Sequence, residues 1–335
     1  LKPEESRMVV FDDVSKEYPN GVVAVAGLSL EIADGEAMAL VGTSGCGKTT
    51  TLKMVNRLIE PTRGRILIDG ENILEQDPIQ LRRGIGYAIQ EIGLLPHMTV
   101  AENIAIVPNL LKWPEARVEE RVDELLRMVG LAPQDFSGRY PSQLSGGQRQ
   151  RVGVARALAA DPPIILMDEP FGALDPITRE QLQNEFIDLL AGLKKTVLFV
   201  THDIFEAVKI GNRIALLDAG KLQQVDTPAA LVERPANQFV DAFLGKRRFQ
   251  LSLLTATVRT LPLSSPAETG AGRHTETLKA SDSLIEALDV FKRIGQDALP
   301  VFERDAYLGS LKRDELLAAV TRIVSKTGTG AGVHG

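Results

Sequence analysis

Gly42-Thr43-Ser44-Gly45-Cys46-Gly47-Lys48-Thr49 reads as a glycine, four intervening residues and then Gly-Lys-Thr. Glycines at that spacing let the backbone curl so that successive N–H groups point inward at phosphate oxygens. Lys48 adds a point charge for the terminal phosphates, and Thr49 a hydroxyl for a divalent cation. A plain glycine-rich turn would need neither. Further along, the apolar run Pro163 to Met167 ends in two carboxylates, Asp168 and Glu169. A buried strand with that ending sets its acids at the ligand crevice of a parallel sheet. Asp168 is suited there to hydrated Mg²⁺, and Glu169 to orienting or polarising a water that attacks phosphate. His202 follows another apolar strand, Lys195 to Thr201. It either has a structural role or donates a hydrogen bond to the terminal phosphate. Gln90, at the end of the strand Ile85 to Gln90, offers a side-chain carbonyl to a metal or its water. These types together specify a nucleoside triphosphate with Mg²⁺, and leave open what its hydrolysis drives.

The surrounding patterns must position these groups. Ala37 to Val41 is the strand entering the glycine loop, and a helix from Thr50 to Leu58 leaves it, adding the partial positive charge of a helix start. Residues 8–15 and 22–32 read as strands joined through Tyr18-Pro19-Asn20-Gly21, a small antiparallel sheet beside the main one. Tyr18 in that turn either stacks on a purine or packs. Residues 65–69 are a short strand. From Val100 to about Tyr140 the spacing of Val118, Val122, Leu125, Leu126 and Val129 predicts helices, broken at Pro108 and Pro114 and stopped at Gly130. Gly93 to Met98, at the start of this insertion, either belongs to the core or fits a groove on a partner.

Leu144-Ser145-Gly146-Gly147-Gln148 precedes a helical pattern at Val152, Val154, Ala155 and Leu158, which sets a second group of backbone N–H donors at a helix start. One nucleotide seldom needs two such cradles from one subunit, so the second is expected to act across a dimer interface. Asp175, in the stiff turn Gly172 to Pro176, suits an inter-subunit contact. Residues 213–226 read as a hairpin around Ala219-Gly220, and helices at 228–233 and 236–244 close the first domain near Gly245.

Residues 246–275 are expected to be a linker, since 259–275 are rich in Pro, Ser, Thr and Gly. Residues 276–324 form a small α/β pattern: a helix at Ser283 to Lys292, strands at Ala298 to Phe302 and Ala306 to Leu311, and a helix from Lys312 to Val320. So small a unit needs a second copy or the segment near 250–260 to complete its core. Residues 325–335 are a disorder candidate. The sequence opens on Leu1, which leaves room for an initiator methionine or a few residues ahead of it, and LKPEESRMVVFDDV carries no secretory-type apolar run. The single cysteine, Cys46, excludes an intrachain disulfide, and four scattered histidines argue against structural zinc. A net charge of −6 gives no support to general nucleic-acid binding.

In this fixed order the motifs resemble the ATP-binding cassette (ABC) ATPases over roughly residues 8–245. The resemblance implies an α/β P-loop NTPase fold with a RecA-like core, an antiparallel β subdomain and a helical subdomain at about 93–160. It implies ATP and Mg²⁺, the metal held through Thr49, Gln90 and Asp168. Gly42, Ser44, Gly45, Cys46, Gly47, Lys48, Thr49 and Thr50 would surround the phosphates, with Tyr18 on the adenine. Glu169 would be the catalytic base, His202 the γ-phosphate sensor and Gln90 the link toward a membrane subunit. Ser145, Gly146, Gly147, Gln148 and Asp175 would meet the nucleotide of a second, head-to-tail copy.

Ile89-Gln90-Glu91-Ile92-Gly93-Leu94-Leu95-Pro96-His97-Met98-Thr99-Val100-Ala101-Glu102-Asn103-Ile104 is similar to the glycine betaine/choline/proline uptake ATPases, as are Asn56 to Pro61 and Gly172 to Arg179. That implies an osmoprotectant importer on the cytoplasmic membrane face, working with permease subunits and, indirectly, a periplasmic or extracellular solute-binding protein. The alternatives are an importer ATPase for amino acids or another small solute, and a soluble non-transport ABC ATPase. The second alternative would carry a long coiled-coil insertion or two fused cassettes, and neither is present. The C-terminal unit resembles one cystathionine-β-synthase (CBS) motif, usually found in tandem but here in one clear copy. Nucleotide binding, ionic-strength sensing and dimerisation all stay open for it.

Overall fold

The computed structural model describes residues 7–89, 93–172, 175–264 and 276–328. The chain divides into two compact units, Leu1–Asp226 and Thr227–Gly335. In the first, β1 (Arg7–Glu17) and β2 (Val23–Ala33) precede β3 (Ala37–Gly42), the loop, and α1 (Lys48–Val55). Next come β4 (Arg63–Ile68), β5 (Glu71–Asn72), α2 (Pro78–Arg83) and β6 (Ile85–Ala88). The helices α3 (Val100–Leu110), α4 (Glu115–Met128), α5 (Pro133–Phe136) and α6 (Gly146–Leu158) follow. β7 (Ile164–Asp168), α7 (Pro176–Leu193), β8 (Thr196–Val200), α8 (Ile204–Ile210) and the hairpin β9 (Arg213–Asp218) and β10 (Lys221–Asp226) complete the unit.

Two sheets result. The antiparallel one runs β2-β1-β4-β5, and β2 alternates buried and exposed residues because only one of its faces meets the core. The other has six strands in the order β10-β9-β3-β8-β7-β6, parallel except for the β9–β10 hairpin. All residues of β3, β7 and β8 are buried, as continuous apolar runs require when both faces are covered. One apolar core joins the sheets: Phe11, Leu28 and Ile66 share it with Leu52 and Met54 of α1 and with Leu40, Leu166 and Val200.

The helical segment packs α3, α4 and α6 on one another. Pro108 does not break its helix. It lies within α3, in the last turn, where few further hydrogen bonds depend on the segment that follows. Pro114 is the N-cap of α4, and Gly130 ends the turn after it with φ +68°. The buried Asn103 clamps the preceding loop: it accepts the N–H of Leu95 at 2.7 Å and donates to the carbonyls of Leu95, Met98 and Thr99. Residues 93–98 are thereby held on the surface, with Leu94 and Met98 partly covered and the others exposed. The helix α2 was not expected; Asp77 caps it by accepting the N–H groups of Ile79 and Gln80.

The second unit holds α9 (Pro228–Glu233), α10 (Gln238–Leu244), α11 (Arg248–Thr255), β11 (Leu278–Lys279), α12 (Leu284–Ile294), β12 (Ala298–Glu303), β13 (Ala306–Lys312) and α13 (Arg313–Gly328). Its three-stranded sheet runs β11-β12-β13. Residues 246–275, expected as a linker, contain α11, and Leu253 and Val258 are buried with Leu284, Phe291, Leu299 and Leu316. The 250–260 segment thus completes the small core, and the unit begins at Thr227 rather than after Gly245. α13 continues to Gly328, so residues 325–328 of the expected disordered tail are helical, while 329–335 lie outside the described residues. Among the described residues, no helix is long and apolar enough to cross a membrane.

Gly86 marks where the core leaves no room for a side chain. A Cβ there would stand 2.3 Å from the Ala157 carbonyl oxygen of α6 and 3.0 Å from Pro162 Cγ. Gly86→Ala must push α6 away from β6, and is expected to cost about 1–3 kcal/mol. Urea unfolding of the full chain measures it; an unchanged midpoint would mean that α6 yields freely.

Candidate functional site

Strand order brings the chemistry together. β8 lies between β3 and β7, and Val200 is paired with Leu40 on one side and with Asp168 on the other. Three carboxyl ends therefore finish at one level: the glycine loop after β3, Thr201-His202 after β8, and Asp168-Glu169 at β7.

α1 begins at Lys48, two residues earlier than expected, with Gly47 as its N-cap at φ +101°. A Cβ at Gly47 would lie 2.2 Å from the Ala24 carbonyl oxygen, so only glycine permits this approach to β2. Among the described residues, the chain offers no acceptor to the backbone N–H groups of Gly45, Gly47, Lys48 or Thr49. These are the orphan donors of a helix start, and an anion such as a phosphate satisfies them. The Lys48 side chain is buried, and its Nζ donates to the carbonyls of Gly42 at 2.9 Å and Thr43 at 2.8 Å, with Cys46 Sγ at 3.7 Å. Two carbonyl dipoles only partly offset a buried ammonium, which favours an anion beside it.

Thr49 Oγ1 donates to Asp168 Oδ1 at 3.0 Å. Burial pushes the Asp168 carboxyl above its ordinary value. The Thr49 hydrogen bond and the Lys53 and Lys48 charges work against that rise, and the Glu169 charge adds to it. A hydroxyl and a carboxylate in contact at the mouth of a phosphate cradle are hard oxygen donors of the kind that hold Mg²⁺. Gln90, the third expected ligand, lies outside the described residues.

Glu169 has φ +46°, a left-handed conformation that a glutamate adopts only where its surroundings impose it. Its N–H donates to the Val200 carbonyl at 2.9 Å, the last bond of the β7–β8 ladder, so the chain turns at Glu169 itself. Its Oε2 lies 3.3 Å from His202 Nδ1, and the histidine side chain is 59 % exposed. Acid and imidazole are thus adjacent and reach solvent together. Tyr18 Oη lies 3.5 Å from Thr50 Oγ1, which holds the aromatic at the first turn of α1.

The second cradle is built but stands apart. Ser145 Oγ accepts the Gln148 N–H at 3.2 Å, and Gln148 Oε1 accepts the Ser145 N–H at 2.9 Å. This capping box was legible in the Ser-x-x-Gln spacing. Among the described residues, no hydrogen bond of Ser145, Gly146, Gly147 or Gln148 reaches the glycine loop. Asp175 stands before α7, its carbonyl accepting the Arg179 N–H at 2.9 Å.

Two participants escaped the sequence reading. Tyr87 of β6 lies within reach of the Asp168 charge; burial first, and then that charge, push its phenol up to about 12. Glu206 of α8 is buried, and accepts the Thr201 hydroxyl at 3.0 Å. Burial pushes its carboxyl up to about 7. The Thr201 hydrogen bond and Arg179 oppose the rise, while Asp203 and Glu169 add to it. The available signal was an acid on the inward face of the helix that follows His202.

A family model described as ABC transporter matches residues 25–172. The Bacillus subtilis glycine betaine/carnitine/choline transport ATP-binding protein OpuCA is 52 % identical over 301 residues, 90 % of this chain and 77 % of its own. The Escherichia coli glycine betaine uptake system ATP-binding protein YehX is 45 % identical over 311 residues, 92 % of this chain and 99 % of its own. Among solved structures, the ATP-binding cassette MJ0796, a dimer in a post-hydrolysis state with ADP and Pi, superposes with a TM-score of 0.60. The two are 37 % identical over 66 % of this chain and 98 % of that one.

Glu206 also makes stability depend on pH. Its carboxyl titrates at about 7 in the fold against an ordinary 4.5, so between these values the fold keeps a proton that the unfolded chain has released. Its contribution is full below 4.5 and is lost as the pH rises through 7, by at most about 3 kcal/mol. Urea midpoints of wild type and Glu206→Gln between pH 5 and 8 test this. The difference between the two should shift steadily across that window, and a constant difference would contradict the assignment.

Proposed function

Because the chain belongs to the ATP-binding subunits of ABC transporters, we propose that it hydrolyses ATP to drive import of a quaternary-amine osmoprotectant through a membrane permease. The observation that carries the solute class is the 52 % identity to a glycine betaine/carnitine/choline transport ATP-binding protein over 301 residues. What supports the hydrolytic reading is the juxtaposition of Lys48, Thr49, Asp168, Glu169 and His202 at aligned strand ends.

In this reading the free N–H groups of the glycine loop and Lys48 hold the β- and γ-phosphates. Thr49, Asp168 and Gln90 are the side chains that would bind Mg²⁺. When bound, the metal offsets charge on the phosphate oxygens. Glu169 orients and deprotonates the attacking water, His202 donates to the γ-phosphate, and Tyr18 covers the adenine. Ser145 and Gly147 of a second copy close over the same nucleotide, with Asp175 at the contact. Support for that partnership comes from the unused second cradle and from the dimeric state of MJ0796.

The permease is expected to dock on the helical segment, from the cytoplasmic face of the membrane. A groove of about 1020 Å³ between α3 and α4, lined by Ala105, Ile106, the exposed Leu110, Glu102 and Glu119, suits an amphipathic helix with basic residues. The C-terminal unit enters the proposal as a single CBS-like motif that dimerises. Its support is the order β11, α12, β12, β13, α13 and the exposed Leu317 and Val324 of α13.

Two measurements test this reading. Reconstituted with its permease pair and solute-binding protein, the ATPase should accelerate with glycine betaine, choline or carnitine. Stimulation by an amino acid alone would reassign the solute. Glu169→Gln should lower turnover by at least about 100-fold while an ATP-bound dimer accumulates. Wild-type turnover in that variant would remove Glu169 from the mechanism.

A further inference from the structure

His202 has little packing to hold it, since its side chain is 59 % exposed. Its aim toward Glu169 must come from the backbone turn that carries it. Asp203 on its far side caps α8, accepting the Phe205 N–H at 2.9 Å, and the link across His202 is one hydroxyl: Thr201 Oγ1 accepts the Asp203 N–H at 3.0 Å and donates to Glu206 Oε2 at 3.0 Å. Thr201 is itself buried, with its N–H on the Leu40 carbonyl at 3.1 Å, so the hydroxyl spans the residues on either side of His202. Glu206 is only 5 % exposed, and its Oε1 has no hydrogen-bond partner among the described residues. Around it stand Arg179, which favours its charge, and Asp203 and Glu169, which oppose it. A buried carboxyl with an orphaned oxygen costs stability. Nothing in the packing of α8 requires an acid there, since Ile204 and Ala207 beside it are apolar and fully buried.

We propose that Glu206 is a positioning residue for ATP hydrolysis: by anchoring the Thr201 hydroxyl it fixes the turn that aims His202 at Glu169 and the γ-phosphate. This rests on the hydrolytic roles proposed for His202 and Glu169. Neutral or ionised, Glu206 keeps Oε2 as an acceptor, so the anchor survives titration of the carboxyl.

The test uses the full chain with MgATP. Glu206→Ala should lower kcat by about tenfold, through a misplaced imidazole, with KM for ATP within about twofold of wild type. Glu206→Gln keeps an acceptor oxygen for Thr201 and should restore most of the rate. Added to His202→Ala, Glu206→Ala should cost almost nothing further, because both act through one side chain. A wild-type kcat in Glu206→Ala, or an equal fold loss with and without His202, would overturn the proposal. If Glu206→Ala does not fold, Thr201→Val decides: loss of kcat at constant KM supports the anchor, and wild-type kcat refutes it. His202→Ala with full activity would instead refute the underlying roles, which separates the two failures.

Discussion

Pairing of one strand with two neighbours sets the rest of this structure. β8 is hydrogen-bonded to β3 and β7 with Val200 opposite both Leu40 and Asp168, so β7 and β8 end level and β3 runs two residues further, to Gly42. Slipping either neighbour by one residue would turn its inward side chains to the other face. It would also separate the Thr49 hydroxyl from Asp168, or His202 from Glu169. The uninterrupted apolar runs of β3, β7 and β8, buried on both faces, make such a slip expensive.

Within that frame the site holds groups in states that water would not allow. Lys48 is buried on carbonyl oxygens, Asp168 is pushed toward its neutral form, and Glu169 takes a left-handed backbone. Each is unfavourable alone, and the surrounding sheet and helix pay for all of them. A polyphosphate with its cation would relieve the two buried charges: the Lys48 ammonium gains an anion, and the acid gains a positive neighbour.

Away from the site, the C-terminal unit shows how a polar segment hides a core element. Residues 246–275 read as a linker because Pro, Ser, Thr and Gly dominate from 259 onward, and that average concealed Phe249, Leu251 and Leu253 just ahead. α11 brings Leu253 onto Phe291, Leu299 and Leu316, the burial that a small sheet with two helices lacks by itself. Pro108 misled in the opposite direction: a proline near the end of a helix disturbs few bonds, and α3 simply contains it.

The sequence alone set out the candidate chemistry and most of the elements. Glycine spacing, paired acids after an apolar run, and a histidine after another are local patterns, fixed by backbone freedom and by two-sided burial. Their periodicities survive without knowledge of any neighbour. The sequence also carried the kinship with osmoprotectant uptake ATPases, in the run Ile89 to Ile104 and in Asn56 to Pro61 and Gly172 to Arg179; within the first of these the buried Asn103 clamps the loop. Tertiary structure alone decided which strand lies between which, and so which acid faces which base. It also decided that Glu206 is buried behind Thr201, and that the second unit starts at Thr227. Each of these depends on contacts between residues far apart in the chain, whose burial no local pattern records.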